Sequence, residues 1–285
     1  MMEPVQTGEA FLRDVASTAK TRDDGFRTWW LGQSGFLIQW RGHHILFDPY
    51  LSDSLTRKYA STDKPHVRLT RQVIEPDRLD FIEVVTSSHN HTDHLDAETL
   101  APIIATGPQL RLVIPEANRR FVCDRLGCDP DMPAGLDDGE EVEVGAFRFR
   151  GVAAAHNEVE CDEDGRCRFL GYIVRFGSWT VYHSGDTLWH EGLTGKLVDQ
   201  GIDLAFLPIN GNRPERRVAG NLDGAEAVHL ACETGIGMVI PCHFEMFAFN
   251  TETPELFLQT AEATGQPVRV LRSGESLSSR EIPGR

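Results

Sequence analysis

The chain has 285 residues, 40% of them apolar and 25% charged, with a formal net charge of -15. The apolar share suffices for a sizeable core and argues against a disordered chain; the acidic balance opposes non-specific attraction to phosphate backbones, so no nucleic-acid partner is expected. No stretch approaches the roughly 20 apolar residues that a membrane span needs, and "MMEPVQTGEAFLRDVAS" has no basic segment leading into an apolar core, so the expectation is a cytoplasmic protein with no membrane partner.

In chain order, the opening stretch mixes apolar and charged residues at near-helical spacing and stops at "RDDG", which predicts a surface helix over about 1–22. "TWWLGQSGFLIQW" and "ILFDPYLS" predict two strand-like runs joined by the Gly-containing turn "RGHH". Further strands are predicted at "FIEVVTSS", "RLVIP", "EVEVGAFRFRGVAAA", "FLGYIVRFG", "WTVYHSG", "LAFLPIN" and "MVIPCH", rich in Val, Ile and aromatics and ending in Gly, Pro, Ser or Asn. Helices are predicted at "DAETLAPIIAT", "EANRRFVCDRLG", "EGLTGKLVDQG", "NLDGAEAVHLACETG" and "ETPELFLQTAEATG". The first and last of these open on capping residues, and the last two close on glycine.

Hairpins dominate the early and middle chain, and strands alternate with helices later, which predicts an α/β protein with two sheets and outer helices. No Pro/Ser-rich linker or charge block divides the sequence, so a single domain over 1–285 is expected. The six cysteines form no C-x-x-C pair and are expected to be reduced. Cys161 and Cys167 flank the turn "DEDGR" and are placed to face each other across a hairpin.

"SSHNHTDHLD", residues 87–96, puts three histidines and an aspartate into six positions where an apolar strand stops and a helix should start. His89 and His91, two apart in extended backbone, project to the same side and can chelate one ion; Asp93 and His94 lie past the bend and can point to a second position. The competing reading is a turn capped by Asp96 whose histidines face water, and four potential ligands in so short a span weigh against it. Three more candidates each end a predicted strand: His156, Asp186 and His243. Singly each reads as an ordinary polar residue. Together the seven supply three histidines for one ion, an aspartate and two histidines for another, and Asp186 as a bridging carboxylate.

H-x-H-x-D-H, a later histidine, an S-G-D aspartate and a late histidine resemble the metallo-β-lactamase superfamily, from Trp29 to about Pro254. The resemblance implies a four-layer αββα sandwich. It assigns His89, His91 and His156 to one divalent ion, Asp93, His94 and His243 to a second, and Asp186 to both. "WWLGQSGFLI", "DPYLS", "YHSGDT", "LPINGN" and "IPCHFEMFAFNTETP" are similar to the lactonase-like branch typified by bacterial L-ascorbate-6-phosphate lactonase, which is related to N-acyl-phosphatidylethanolamine phospholipase D. That lactonase lacks a histidine matching His156, whereas many other superfamily hydrolases keep one.

The implied activity is metal-dependent hydrolysis, by a metal-bridged hydroxide, of an ester or lactone of a small polar metabolite, anionic or phosphorylated, with zinc or manganese as the ions. Asp93 is the expected catalytic residue, orienting the nucleophile or carrying a proton in addition to binding metal. His183, three residues before Asp186, is a candidate for orienting ligands. Asn210, Arg213, Arg216 and Arg217, in "NGNRPERR", are candidates for binding an anionic substrate. Trp189, His190, Met246 and Phe247 follow metal-bearing segments and are read as packing. The alternatives are a phosphodiesterase like the phospholipase relatives, a di-iron redox protein, disfavoured because those members resemble H-x-E-x-D where this chain has His91, and a non-catalytic metal-binding protein of the same fold. The resemblance allows a homo-oligomer.

Overall fold

A computed structural model describes residues 1–18, 23–107 and 109–284. Helix α1 covers Gly8–Thr18, shorter than the helix predicted over about 1–22: residues 1–7 are not helical, Met2 instead forming a parallel bridge with Thr70, and residues 19–22 lie outside the described residues. A first run of strands follows: β1 (Phe26–Gly32), β2 (Gly35–Trp40), β3 (His43–Phe47), β4 (Val84–Thr86), β5 (Arg111–Pro115) and β6 (Pro133–Leu136). A second comprises β7 (Glu141–Val144), β8 (Phe147–Ala153), β9 (Leu170–Phe176), β10 (Trp179–His183), β11 (Leu204–Pro208) and β12 (Met238–Cys242). The short β13 (Ser276–Ser278) returns to pair with β1, so the seven-stranded sheet has the order β13-β1-β2-β3-β4-β5-β6 and the six-stranded sheet the order β12 to β7.

Each sheet joins an antiparallel part to a parallel part. β1–β3 and β7–β10 are hairpin-linked and antiparallel, whereas β3–β6 and β10–β12 are parallel. Parallel neighbours need crossover segments, and these carry α2 (Ser54–Lys58), α3 (Ala97–Thr106), α4 (Arg119–Leu126), α5 (Leu193–Leu197) and α6 (Gly224–Thr234), with α7 (Glu255–Thr264) beyond β12.

Alternation along the strands sorts the core into layers. Trp29, Leu31, Leu37, Leu46 and Val85 face α1 and α3, with Phe11, Leu100 and Ile103, while Trp30, Phe36, Ile38, Ile45 and Phe47 face the second sheet. Because both faces are covered, the strands read as continuous apolar runs. Where the sheets meet, Phe36 stacks on Phe206 at 3.9 Å and Trp30 on Phe244 at 4.7 Å between ring centroids. α5, α6 and α7 cover the other side of the second sheet through Leu193, Leu197, Val228, Ala231 and Phe257. The result is the expected αββα sandwich.

Local differences from the sequence reading have simple causes. "TWWLGQSGFLIQW" is not one strand but the hairpin β1–β2, because Gln33, at φ +50, turns the chain between Gly32 and Gly35. "EVEVGAFRFRGVAAA" splits likewise at Gly145, φ +60. The last helix lacks the expected side-chain cap, since Pro254 fills that position, and a capping box forms instead at Asp223 and Glu226 of α6. Cys161 and Cys167 pair across an antiparallel bridge as free thiols. Among the described residues no helix is long and apolar enough to cross a membrane.

Replacing Phe206 by alanine removes one ring of the stack between the sheets and should lower unfolding free energy by about 3–5 kcal/mol. Urea denaturation followed by tryptophan fluorescence measures this; a loss below about 1 kcal/mol, the size of an average point mutation, would show that the sheets do not depend on that contact.

Candidate metal centre

The carboxyl ends of β3, β4, β8, β10 and β12 lie at one edge of the sandwich, and each releases its chain into a polar segment there. β4 leads into the H-x-H-x-D-H loop. The loop is closed by α3, whose N-cap Asp96 accepts hydrogen bonds from the backbone of Glu98 and Thr99 and from Ser52 Oγ at 2.6 Å. Arg125 on α4 donates to the carbonyls of Asn90 and Leu95, at 2.8 and 3.1 Å, and so ties the loop at both ends. Asp96 thus caps the helix as the bland reading requires, yet the histidines do not simply face water: His89 and His94 are 1% and 0% exposed.

The other strand ends bring in the remaining candidates. His156 follows β8, Asp186 follows β10 through Gly185, and His243 follows β12. Gly185 is required twice over: its φ is +59, and a Cβ there would lie 2.6 Å from Ser88 Cβ. His243, also at φ +59, is held by its backbone N–H donating to the Gln33 carbonyl at 3.0 Å.

The seven candidates form three overlapping groups, His89–His91–His156, His89–His94–Asp186 and Asp93–His94–His243, with ligand atoms within 4.8 Å of one another in each. Asp186 Oδ1 is 3.3 Å from His94 Nε2, and Oδ2 is 3.4 Å from His156 Nε2 and 3.2 Å from His243 Nε2. Asp93 Oδ2 is 3.8 Å from His94 Nε2 and 3.6 Å from His243 Nε2. Tetrahedral coordination with bonds near 2.1 Å places ligands about 3.4 Å apart, so these separations suit a divalent ion. So does their hydrogen bonding. His89 Nε2, His94 Nε2 and Asp186 Oδ1 are buried without a hydrogen-bond partner among the described residues, each a cost of about 1–3 kcal/mol that a cation accepting their lone pairs would remove.

Outer partners fix which nitrogen faces inward. His94 Nδ1 lies 2.7 Å from Asp48 Oδ2 and His156 Nδ1 lies 2.8 Å from the Gly220 carbonyl, so Nδ1 of each donates outward and Nε2 is the nitrogen left to face an ion. His89 Nδ1 meets Ser88 Oγ at 2.9 Å. Asp48 itself is fully buried, accepting from the Ser88 backbone and hydroxyl and from Thr86 Oγ1. Gln33 Nε2 spans Asp93 Oδ2 at 2.8 Å and His243 Nε2 at 2.9 Å. Sequence reasoning assigned neither. Asp48 falls inside the predicted run "ILFDPYLS", and only the end of β3 at Phe47 places it after a strand as Asp186 is; Gln33, inside a tight turn, carries no comparable signal.

Electrostatics divide the site. Burial, and then the neighbouring imidazoles, hold His89 far below an ordinary histidine; at His91, exposed at the cleft mouth, the surrounding protein and then His156 hold the value down at about 4. At His243 burial opposes the charge, but Asp186 and Asp93 outweigh it and raise the pKa to about 9. His94 is raised in the same way. Burial would raise Asp93 and Asp186, yet the adjacent histidines lower both. One side of the site thus offers neutral imidazoles, and the other holds ionised carboxylates with protonated imidazoles.

The remaining candidates lie elsewhere. His183 is fully buried, donating from Nε2 to the Ser34 carbonyl at 2.8 Å and accepting the Gly185 N–H at Nδ1; it pins the β1–β2 turn to the Asp186 loop. Asn210 is buried beneath the cleft, bonded to Asn250 and Asn221. None of the three arginines lines the cleft over the site. Arg213 and Arg216 pair with Glu252, and Arg217 pairs with Asp63, so their charges are spent on holding the loop. Phe247, read as packing, does line the cleft.

A family model described as the β-lactamase superfamily domain matches residues 43–244, the span that contains all seven candidate ligands. The chain belongs to the metallo-β-lactamase superfamily. Within it, the chain is 29% identical over 258 residues to a UPF0173 metal-dependent hydrolase of Opitutus terrae, covering 88% of this chain and 99% of that protein. It is 25% identical over 233 residues to the mitochondrial N-acyl-phosphatidylethanolamine-hydrolyzing phospholipase D of Saccharomyces cerevisiae, covering 78% of this chain and 48% of the yeast protein. Among solved structures it shares the superfamily fold with the metallo hydrolase Igni18 of Ignicoccus hospitalis, at a TM-score of 0.64 and 20% identity, covering 89% and 98% of the two chains.

Replacing Asp48 by alanine should weaken metal binding by about 10–100-fold, because His94 loses the partner that orients it; equilibrium dialysis with zinc or manganese measures this, and unchanged affinity would remove Asp48 from the site. Loading metal into chelator-treated protein should release protons from His94 and His243, and affinity should rise as pH rises toward 9, where His243 deprotonates unaided. Titration calorimetry in buffers of different ionisation enthalpy reads the release; heats independent of buffer would contradict it.

Proposed function

We propose that the protein is a metal-dependent hydrolase that cleaves an ester or lactone of a small polar or anionic metabolite, with two divalent ions, zinc or manganese, held by His89, His91 and His156 and by Asp93, His94 and His243, and Asp186 shared. The observation that carries this reading is the convergence of the seven side chains below a cleft, with His89 Nε2, His94 Nε2 and Asp186 Oδ1 buried and without a hydrogen-bond partner among the described residues. The hydrolase names of the Opitutus and Ignicoccus proteins agree with it, and a histidine rather than a carboxylate at 91 favours hydrolysis over di-iron chemistry.

When bound, divalent ions at these residues make water acidic enough to attack at neutral pH and polarise the oxygen of the scissile group. The chain's own part begins with Asp93. Its carboxylate is braced by Gln33 Nε2 at 2.8 Å, so it can orient the attacking water, take its proton and return that proton to the leaving oxygen. Water adds its oxygen to the acyl carbon, the bond to the leaving oxygen breaks, and acid and alcohol are the products; no covalent bond to the chain forms. The fixed Nδ1 contacts of His94 and His156 keep the ligands from rotating during the cycle.

The phosphodiester reading is supported by the name of the yeast relative and predicts the opposite preference. Replacing both His89 and His91 by alanine should abolish turnover while the circular dichroism spectrum is retained, and unchanged turnover would end the proposal. A panel of lactones, phosphorylated sugars and bis-p-nitrophenyl phosphate then ranks the two bonds.

A further inference from the structure

The cleft over the site has cations other than the arginines that the sequence pointed to. Arg57, Arg213, Arg216 and Arg217 all pair with carboxylates. Lys58 and Arg125, which line the cleft, have no ion-pair partner among the described residues. Arg125 is built into place: its Nη1 donates to two backbone carbonyls, and its guanidinium lies 4.4 Å from the centroid of the Phe121 ring. That leaves Nε and Nη2 without a hydrogen-bond partner among the described residues. A guanidinium fixed in plane with free N–H groups is suited to a carboxylate or phosphate.

An aromatic wall lines the same cleft. Tyr59 and His66 stack at 4.2 Å with planes 20° apart, and Phe249 meets His66 edge-on at 4.5 Å. His66 is held from three directions. Its Nδ1 lies 3.0 Å from the Lys64 carbonyl, its own carbonyl accepts from Thr56 Oγ1 at 2.8 Å, and the segment it heads pairs with the chain beyond His243 through the Arg68–Phe247 bridge. Lys58 Nζ sits 5.0 Å from the Tyr59 ring. Rings held this rigidly line the cleft with apolar surface at small entropic cost.

We propose that this cleft is a two-part substrate subsite in which Arg125 holds an anionic group, with Lys58 at the rim, and Tyr59, His66 and Phe249 take a flat apolar body, so that the substrate is an anion carrying an aryl or similarly planar group. This rests on the hydrolase reading for its meaning as a substrate site, and its test does not require turnover. Metal-loaded protein is titrated by calorimetry with phenylphosphonate and methylphosphonate, neither of which can be hydrolysed. The wild type should bind phenylphosphonate about tenfold more tightly, as burial and stacking of one ring allow. The double change Tyr59→Ala and Phe249→Ala should reduce that preference to about twofold or less. Arg125→Gln should weaken both probes about tenfold, the effect of one charge-assisted hydrogen bond, with metal content unchanged.

A phenyl preference that survives the double change, or phosphonate affinity unaltered in Arg125→Gln, overturns the proposal; the second result would mean that the ions alone hold the anion. Should Arg125→Gln lose metal because the loop it ties comes loose, Lys58→Gln, a change at the cleft rim, decides instead: weaker binding of both probes supports the subsite, and unchanged binding overturns it. Normal probe binding with no turnover of any panel substrate would overturn the hydrolase reading and leave the subsite standing.

Discussion

A buried carboxylate among imidazoles governs this structure. Asp186 is 3% exposed, with the Nε2 atoms of His94, His156 and His243 within 3.4 Å. Withdrawing so many ionisable groups from water carries a desolvation cost that mutual attraction offsets only with good geometry and satisfied outer contacts. The surrounding polar detail supplies those contacts. Asp48 holds His94, the Gly220 carbonyl holds His156, and Gln33 spans Asp93 and His243. The close approach of Gly185 to Ser88 lets the Asp186 loop reach the H-x-H-x-D-H loop at all.

The sandwich makes that convergence possible, and the backbone is strained where it happens. Parallel strands within each sheet end at one edge, so residues far apart in sequence meet without long loops. Among the described residues φ is positive at seven outside glycine, and three of these, Gln33, Asp48 and His243, lie within or directly behind the site. Each costs on the order of 1 kcal/mol or more, sustained by packing on both faces of both sheets. In the β1–β2 turn, the conformation that ends the strand is also the one that aims the Gln33 amide at Asp93.

The candidate ligand set is legible in the sequence because each member follows an apolar strand and the first four are local. The layers are legible because runs buried on both faces have no polar alternation to disguise them. What the sequence hides are partnerships across long separations. The arginines of "NGNRPERR" look like an anion site until Glu252 and Asp63 are seen beside them. Arg125, on a helix with an ordinary mix of charges, shows nothing of its place against the metal loop. Asp48 follows a strand like Asp186, but its task is to hold a histidine whose position in space only the parallel pairing of β3 and β4 fixes.

Anion recognition by a chain of net charge -15 involves no contradiction. At physiological ionic strength the field of a surface carboxylate decays over about 8 Å, and many of this protein's acids, such as Glu143 and Asp162, are already paired with arginines. What an approaching ligand meets is the local arrangement: Lys58 and Arg125 at the cleft, and Asp93 and Asp186 turned inward onto histidines and the ions they would hold. Distant negative charge slows the approach of anions in general. That penalty falls on every anion alike and cancels from their relative affinities, so discrimination among anions would come from the side chains of the cleft itself.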